Sequence, residues 1–343
     1  MKNRLENIDV AKGLGILLVV LGHNRPLTEQ LPALHAAVYL FHMPLFFFLS
    51  GLTTPAILSG EKLFKRVVGL VKPYVAGILL FLPLQLKQAD HPSNDGILQH
   101  ALWGSGNAIF NTPLWFLTAL IGGYLLYSVL TRIQALAANH IAVPLIAGSV
   151  IAFTYWSMSN QIGFRLLPFD VLNRPLGAPL NLDFAPLIAS LLLIGNWWQT
   201  TSTERKPPST QAVWLTAAVS SLAFMLLLRS DPGLDLNYRA VQSWPAALTC
   251  GTLGIIFVMA LSQIIAHSKS HVKLALTWLG RNTLIILVFH APIQNALTNL
   301  LSKRMTINAF LATLISVILC AALAWLSHAV INRNKHLRSI FYA

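Results

Sequence analysis

The amino-acid sequence predicts an all-α, polytopic integral membrane protein with about ten transmembrane helices. Hydrophobic residues make up 55% of the 343 positions and charged residues only 10%, whereas a soluble globular domain carries about 25% charged residues. The mean hydropathy is correspondingly high, at +0.63. Apolar runs of roughly 17 to 25 residues, the length that spans a bilayer as a helix, recur from one end of the chain to the other. We therefore expect a single transmembrane domain over residues 1–343.

Ten apolar runs between polar breaks define the predicted helices. The breaks contain turn-forming segments such as "QADHPSNDG", "TSTERKPPS" and "RSDPGLD", which are rich in Gly, Pro, Asn, Asp and Ser. The first run is not expected to be a cleaved signal peptide, because it contains charges and lacks a small-residue cleavage pattern. The expected limits are 7–24, 34–54, 64–86, 113–131, 141–158, 183–199, 211–228, 244–266, 275–301 and 306–331.

The distribution of charge predicts how the chain is oriented in the membrane. With ten helices both termini lie on one side, and that side would hold 16 of the 24 Lys and Arg residues. Asp and Glu show the opposite bias, with 4 of 11 on the side of the termini. Cytoplasmic loops are enriched in Lys and Arg, so both termini are expected to be cytoplasmic.

Charge and cysteine usage argue against two other kinds of partner. The formal net charge of +13 would suggest nucleic acid in a soluble protein, but here membrane topology and an anionic ligand explain the cations, so no nucleic acid is expected. Cys250 and Cys320 both lie inside apolar runs. They indicate neither a disulfide framework nor a metal cluster, and no metal cofactor is expected.

The first predicted helix carries three ionisable groups, which are costly inside a bilayer and tend to face a cavity or a partner. Lys12 and His23 are 11 residues apart, which places them within about 20° of one helix face and roughly 16 Å apart along the axis. Asp9, three residues before Lys12, could pair with it. The sequence thus predicts one polar stripe from the cytoplasmic end to the outer end. Two plainer interpretations stay open: Asp9 and Lys12 as an anchoring pair, and His23 as an interfacial residue.

Two further histidines lie at comparable depth, His42 in "FHMPLFFFLSG" and His290 in "LVFHAPIQ". Pro44 and Pro292 follow two residues later, where proline removes a backbone hydrogen bond and can expose a carbonyl group to a cavity. Both histidines could serve the site on the first helix, and each could equally well bond to a neighbouring helix. The other histidines are interpreted as loop or interface residues: His35, His91, His100, His140, His267, His271, His328 and His336.

A cluster of cations lies on the cytoplasmic side at the entry to the third helix, in "EKLFKRVVGLVKPY". The enrichment of cytoplasmic loops in Lys and Arg explains most such cations without any binding site. They lie, however, at the same end as Lys12, and Lys and Arg side chains that converge in a partly dry site bind phosphates well. The sequence therefore leaves open a site for a phosphorylated ligand from the cytoplasm. Its members would be Lys62, Lys65, Arg66, Lys72 and Arg281.

The longest outer loops, at about 87–112 and 159–182, are expected to meet an acceptor molecule. Aromatic and carboxylate side chains of the kind found there suit sugars, although aromatic residues are also ordinary at a membrane interface. The candidates are Asp90, His91, Trp103, Asn107, Arg165, Asp170 and Arg174.

Five segments resemble the acyltransferase-3 membrane family, in the order expected along the chain. "NIDVAKGLGILLVVLGHN" resembles the signature of the first helix, a basic residue, ten positions and a histidine, here Lys12 and His23. "FHMPLFFFLSG" is similar to the second-helix signature, especially of the branch related to fucose 4-O-acetylases. The other three are similar to motifs of the third, fourth and ninth helices: "FKRVVGLVKPY", "PLWFLTALI" and "GRNTLIILVFHAPI".

The resemblance implies a polysaccharide O-acetyltransferase of the cell (inner) membrane, in its stand-alone membrane form. Such an enzyme uses an acyl-CoA donor, commonly acetyl-CoA, from the cytoplasmic side. It acylates a sugar hydroxyl on a surface glycan, such as exopolysaccharide, or on a lipid-linked precursor. His23 matches the family's proposed catalytic histidine and Lys12 its basic partner. Arg66 matches the first arginine of a third-helix pair, but the second position is Gly69 here, which departs from the family pattern.

Acyl transfer to a hydroxyl needs a base, a stabiliser for the oxyanion and a held donor. His23, with Lys12 and Asp9 below it, is the predicted catalytic residue, and it could deprotonate the hydroxyl or take the acyl group first. The CoA phosphates are expected near Lys12 and the cytoplasmic cations, with the pantetheine arm running up the stripe to His23. Residues that could orient His23 or stabilise the oxyanion are His42, His290, Asn24, Ser50 and Trp115.

The main alternative is a transporter or flippase for a glycolipid or a small solute. Ionisable residues inside a membrane mark transport pathways as readily as active sites. A transporter moves its solute across vesicles with no acyl donor present, whereas the enzyme transfers label from acetyl-CoA to a glycan.

Overall fold

A computed structural model describes residues 2–87, 96–106, 108–133, 141–162, 177–204 and 206–341. In this part of the chain, nine helices are long and apolar enough to cross a membrane. Helix α1, Lys2–Gly22, is a further long helix, set apart from the nine by charged residues such as Asp9 and Lys12. The prediction of an all-α, polytopic membrane protein is confirmed.

The other helices run in chain order as follows. They are α2 Arg25–Gln30, α3 Pro32–Tyr39, α4 His42–Leu52, α5 Gly60–Leu86, α6 Ile97–Trp103, α7 Trp115–Leu130, α8 Ala142–Ser159, α9 Ala185–Glu204, α10 Thr210–Leu227, α11 Trp244–His267, α12 His271–Arg281, α13 Thr283–Ser302, α14 Ala309–Leu326 and α15 Lys335–Phe341. Short 3₁₀ helices cover Thr112–Leu114, Pro179–Phe184 and Leu228–Ser230, and a π-helical turn covers Ser327–Ile331. Strands β1, Leu234–Asp235, and β2, Ala240–Val241, pair as an antiparallel hairpin.

Two of the predicted helices are interrupted. The second is α3 followed by α4, with the break at Leu40 and Phe41. Pro44 accounts for this break, because it lacks the N–H that would bond to the carbonyl group of Leu40 in a continuous helix. The ninth is α12 followed by α13. Asn282 separates them with a non-helical φ of −112° and ψ of 16°, so Arg281 ends α12 instead of lying within one continuous ninth helix.

Polar side chains fix the starts of several helices. Ser59, Ser209, Ser270 and Asn308 each accept a hydrogen bond from a backbone N–H in the first turn of α5, α10, α12 and α14. Such a cap satisfies one of the N–H groups that the helix itself leaves without a partner. The helix limits therefore follow from local sequence, and they agree closely with the apolar runs.

The chain divides into two compact units. Among the described residues, the first unit lies within Met1–Leu45, Pro208–Ser230 and Thr249–Phe341, and the second within Phe46–Pro207 and Asp231–Leu248. Within the first unit, α1 packs along α12. A Cβ atom on Gly13 would overlap the carbonyl group of Leu276, and one on Gly280 would overlap that of Asp9. Glycine at both positions thus lets the two backbones touch and holds α1 in place.

In the second unit, α7 packs against α5 and α9 and is largely buried. Many apolar side chains elsewhere on the long helices are exposed, for example Phe64 (69%), Leu215 (65%) and Phe310 (77%). A soluble protein rarely exposes so much apolar surface, whereas a membrane protein turns it toward lipid.

Candidate active site

Four histidines and a tyrosine form a group in the first unit, which we name the histidine cluster: His23, His35, Tyr39, His42 and His290. The ring centroids of His23 and His290 are 5.3 Å apart. The ring of Tyr39 lies 6.4 Å from that of His23 and 4.9 Å from that of His42. The structure thus brings together three histidines that the sequence singled out, with Tyr39 between two of them.

His35 and Tyr39 were not predicted to belong to a site. His35 was interpreted as a loop or interface residue, but it lies in α3, with its ring centroid 4.1 Å from that of Tyr39. The two residues are four positions apart, which places their side chains on the same helix face. That spacing was the signal in the sequence that could have found them.

Backbone carbonyl groups fix the tautomers of two of the histidines. His290 Nδ1 lies 2.8 Å from the carbonyl oxygen of Ile286, and His42 Nδ1 lies 2.8 Å from that of Val38. Because a carbonyl oxygen only accepts, Nδ1 carries the proton in each ring. In the neutral imidazole, Nε2 is then the acceptor. Both rings are buried, with 4% of His42 and none of His290 exposed.

Asn24 fixes the position of the neighbouring His23 at the junction of α1 and α2. Its Oδ1 accepts from the backbone N–H of Leu27 and caps α2. Its Nδ2 donates to the carbonyl oxygen of Ala312 and to Ser316 Oγ on α14, at 2.9 Å each. The backbone beside His23 is therefore tied to a distant helix by a buried amide, and the predicted catalytic support by Asn24 stays a prediction.

Gln294 and Ser316 extend this network and were missed in the sequence. Gln294 Nε2 donates to Ser316 Oγ at 2.9 Å, and both side chains are buried. Gln294 follows His290 by four residues on α13, so the two share a helix face. The buried polar face of α13 thus includes Gln294 as well as His290, whereas the sequence suggested His290 alone.

A second polar group lies at the other end of α1. Arg281 Nε donates to Asp9 Oδ2 at 2.8 Å, and Lys273 Nζ lies 3.0 Å from Glu6 Oε2. Asp9 therefore has Arg281 as a partner, which the sequence did not suggest. Lys12 is partly buried beside this group.

Aliphatic residues separate the two polar ends of α1. Ile16 and Val20 lie on the helix face between Lys12 and His23, and at most 1% of either side chain is exposed. The described structure therefore shows two polar groups on α1 where the sequence predicted one continuous stripe.

Arg66 is held by the second unit. Its Nη1 donates to the hydroxyl group of Tyr124 at 2.9 Å, and its Nη2 donates to the carbonyl oxygen of Thr53 at 2.7 Å. The guanidinium carbon lies 5.0 Å from the ring centroid of Tyr124. Lys65 is exposed and paired with Glu61. Arg66 is thus oriented by protein groups, and the other cations of this segment, Lys62 and Lys72, are also exposed.

Ser50 and Trp115 also belong to the second unit. Ser50 Oγ donates to the carbonyl oxygen of Phe46 one turn earlier in α4, at 2.8 Å. Trp115 is 5% exposed, and its ring centroid lies 6.3 Å from that of Phe184. The structure gives both residues local packing roles, and their predicted catalytic support stays a prediction.

Trp103 is the one outer-loop candidate that falls on described residues, and its Nε1 donates to the carbonyl oxygen of Gly177 at 2.8 Å. The other candidates lie outside the described residues: Asp90, His91, Asn107, Arg165, Asp170 and Arg174.

A buried ion pair close to that loop was not expected from the sequence. Arg239, in the turn between β1 and β2, is fully buried, and its Nε and Nη2 donate to the two carboxylate oxygens of Asp183 at 2.9 and 3.2 Å. Nη2 also donates to Asn181 Oδ1 at 2.8 Å, and Nη1 donates to the carbonyl oxygen of Asn237 at 2.9 Å. This pair anchors the hairpin within the second unit.

Asp235 of the same hairpin is partly buried. Loss of water raises the pKa of its carboxyl group to about 6, although the backbone N–H of Tyr238 and the charge of Arg239 oppose the shift. The hairpin therefore pairs its arginine with Asp183 outside the hairpin, and it carries a carboxyl group of its own, that of Asp235, whose pKa is raised by burial.

Within the described residues, no group of three His, Cys, Asp or Glu side chains is arranged to hold a metal ion. A family model described as an acyltransferase domain matches residues 5–326 of the 343-residue chain. No curated protein and no solved structure matches the chain.

Proposed function

The chain belongs to the acyltransferase-3 family and is a membrane acyltransferase, and on that premise we propose that it moves an acetyl group from acetyl-CoA to a sugar hydroxyl. The acceptor would be a surface polysaccharide, such as exopolysaccharide, or a lipid-linked glycan, as in the branch related to fucose 4-O-acetylases. The donor would enter from the cytoplasm, where both termini would lie, and the enzyme would sit in the inner membrane.

The observation that carries the proposal is the contact of His23 with His290, at 5.3 Å between ring centroids. His23 matches the family's proposed catalytic histidine, and the structure surrounds it with imidazole and phenol groups. A neutral imidazole can take a proton from a hydroxyl group or form a bond with an acyl carbon. Both roles of His23, base and transient acyl carrier, are compatible with its position.

The reaction is balanced without any cofactor other than the donor. The hydroxyl oxygen bonds to the acyl carbon, the carbon–sulfur bond breaks, and the hydroxyl proton ends on the CoA thiol. An N–H group near the acyl oxygen would stabilise the oxyanion. His42 cannot supply its Nδ1–H, because Val38 already accepts that proton.

We propose that the donor phosphates bind cytoplasmic cations, and each unit has its own candidates. Lys65 and Lys72 are exposed, and Arg66 keeps a fixed orientation on Tyr124. Arg281 is 63% exposed although it is paired with Asp9, so one side of its guanidinium group faces outward. Lys12 is the second candidate of the first unit. From there the pantetheine arm would have to pass the buried side chains of Ile16 and Val20 to reach His23, over the roughly 16 Å that 11 residues of helix span.

The test is acetyl transfer by the purified protein in a bilayer, with labelled acetyl-CoA and a membrane extract of polysaccharide as acceptor. The His23→Ala variant should lose transfer while remaining folded and inserted. The His267→Ala variant, which changes an exposed histidine at the end of α11, is the matched control and should keep it. Near-normal transfer by His23→Ala would refute the role of His23.

The same preparation distinguishes the enzyme from a transporter. Vesicles that contain the protein should not move a glycolipid across the bilayer in the absence of acetyl-CoA. Movement without any donor, together with no label on the glycan, would favour the transporter and overturn the enzyme assignment.

A further inference from the structure

Two buried acceptor atoms lie one helical turn apart on α13, on the same face. His290 Nε2 and Gln294 Oε1 are both inaccessible to solvent, and neither has a hydrogen-bond partner among the described residues. A buried polar atom without a partner costs about 1–3 kcal/mol. In native proteins such atoms are uncommon, and each has a cause, such as local strain, a bound water or ion, or a catalytic role.

The orientation of the Gln294 amide follows from its neighbours. Ser316 Oγ donates its only proton to the carbonyl oxygen of Ala312 at 3.0 Å. It can then only accept, which it does from Asn24 Nδ2 and from Gln294 Nε2. Asn24 Oδ1 accepts from the backbone N–H of Leu27, which fixes the Asn24 amide. With Ser316 donating to Ala312, Gln294 turns its nitrogen to Ser316, and its oxygen has no partner among the described residues.

The ring of His290 is fixed in the same way. Nδ1 lies 2.8 Å from the carbonyl oxygen of Ile286 and 3.0 Å from that of Leu287. A histidine that acts as a general base is held like this, with one N–H bound to an acceptor and the other nitrogen free to take a proton. His23 receives no hydrogen bond of this kind from the described residues. The geometry of a base is therefore found at His290.

A ligand that satisfies both neighbouring acceptor atoms must donate two hydrogen bonds. Water supplies two, and so does a pair of adjacent hydroxyl groups on a sugar ring, whereas a simple alcohol supplies one. The i, i+4 positions of a helix lie about 5–6 Å apart at Cβ, so one small polyol can reach both side chains. The site selects for hydrogen-bond donors and against carbonyl groups and anions.

Resting on the proposed function, we propose that His290 is the general base for the acceptor hydroxyl and that Gln294 holds the adjacent hydroxyl of a vicinal diol. His23 then has the role of the acyl carrier. Asn24 and Ser316 are positioning residues that fix the Gln294 amide.

The steps balance. In the first step a nitrogen of His23 bonds to the acyl carbon, the carbon–sulfur bond breaks, and the His23 proton goes to the thiolate. In the second step the acceptor oxygen bonds to the acyl carbon and its proton goes to His290 Nε2. The carbon–nitrogen bond breaks, and His23 takes the proton back from His290. The sum is thioester plus alcohol giving ester plus thiol.

The experiment measures the lifetime of labelled protein after a pulse of [¹⁴C]acetyl-CoA, in water and then with glycerol, a vicinal triol, or propan-1-ol. The wild-type label should discharge rapidly, and glycerol should speed the discharge more than propan-1-ol does. Loss of the base in His290→Ala should slow discharge about 10²–10⁴-fold. Gln294→Met should slow it about 3–10-fold and abolish the preference for glycerol.

Three controls separate chemistry from damage. Hydroxylamine attacks an acyl-imidazole without a base and should discharge all proteins equally. Gln294→Glu, as the neutral acid, donates to Ser316 and keeps a free carbonyl oxygen, so it should retain the glycerol preference. Thr298→Val changes a buried residue one turn further along α13, whose hydroxyl is bonded to the backbone, and should behave as wild type.

The outcomes are distinct. Wild-type discharge rates in His290→Ala, or an unchanged glycerol preference in Gln294→Met, would overturn this inference and leave the acyltransferase intact. Acetyl transfer that proceeds without any labelled protein, even in the His290→Ala variant, would also overturn this inference. It would favour direct transfer, with His23 as the base. If the wild type neither binds label nor releases CoA with any acceptor, the proposed function itself fails.

Discussion

Removal of the Arg239 guanidinium group should destabilise the second unit strongly. Arg239 is fully buried, and its partner Asp183 is 11% exposed. The substitution removes four hydrogen bonds, which Arg239 donates to Asp183, Asn181 and the carbonyl oxygen of Asn237. Most of the lost stability comes from the carboxylate of Asp183, which stays buried without its partner. Breaking a buried ion pair from one side costs about 3–5 kcal/mol, so we expect a loss of this size for Arg239→Leu.

The prediction is checked by thermal unfolding in lipid nanodiscs, followed by tryptophan fluorescence, as a double-mutant cycle with Asp183→Leu. The double variant lacks both charges, so it should be more stable than the sum of the two single losses predicts, by at least about 2 kcal/mol. Arg239→Lys keeps the charge but not the planar donor fork, and it should lie between wild type and Arg239→Leu. Additive losses, or a single variant within about 0.5 kcal/mol of wild type, would refute the reasoning.

Two further predictions concern a carboxyl group and a helix crossing. Because burial raises the pKa of Asp235 to about 6, the folded state holds this proton more tightly than the unfolded state, and stability falls as pH rises from about 4 to 6. Asp235→Asn should therefore raise stability at pH 8 by up to about 3 kcal/mol and leave it unchanged at pH 4; an equal effect at both pH values would contradict the shift. Gly280→Ala should lower the melting temperature, because its Cβ would overlap the carbonyl group of Asp9. Gly148→Ala, with open space around it, should be neutral or slightly stabilising, and similar losses in both would show that the crossing is not tight.

The histidines of the site show what the sequence could reach. Their depth in the membrane follows from counting residues along apolar runs, and an ionisable group at that depth needs a reason. This sufficed to single out His23, His42 and His290 before any contact was known. Gln294 bonds to Ser316 on the next helix, and Ser316 in turn bonds to Asn24, 292 residues away in the chain. Gln294 could therefore not be recognised in the same way.

The two helix breaks also differ in whether the local sequence predicts them. A loosened backbone at Pro44 could be predicted from the sequence, because proline removes a hydrogen bond to a residue only one turn away. At the other break, Asn282 Oδ1 accepts a hydrogen bond from the hydroxyl group of Ser327 at 2.6 Å. Nothing in the local pattern of 275–301 indicates that bond. The pairing of Asp9 with Arg281 likewise joins residues far apart in the chain, and no local pattern indicates it.

The sequence alone determined that this chain is a bundle of membrane helices, because the free energy of transferring apolar side chains into lipid is a sum over local residues and needs no knowledge of neighbours. It also carried the signature of its family, which lies in contiguous segments. The tertiary structure decided which buried polar atoms found partners and which did not, since hydrogen bonds depend on distance and direction between helices far apart in the chain. The two acceptor atoms on α13 that have no partner among the described residues, His290 Nε2 and Gln294 Oε1, could therefore be identified only from the tertiary structure.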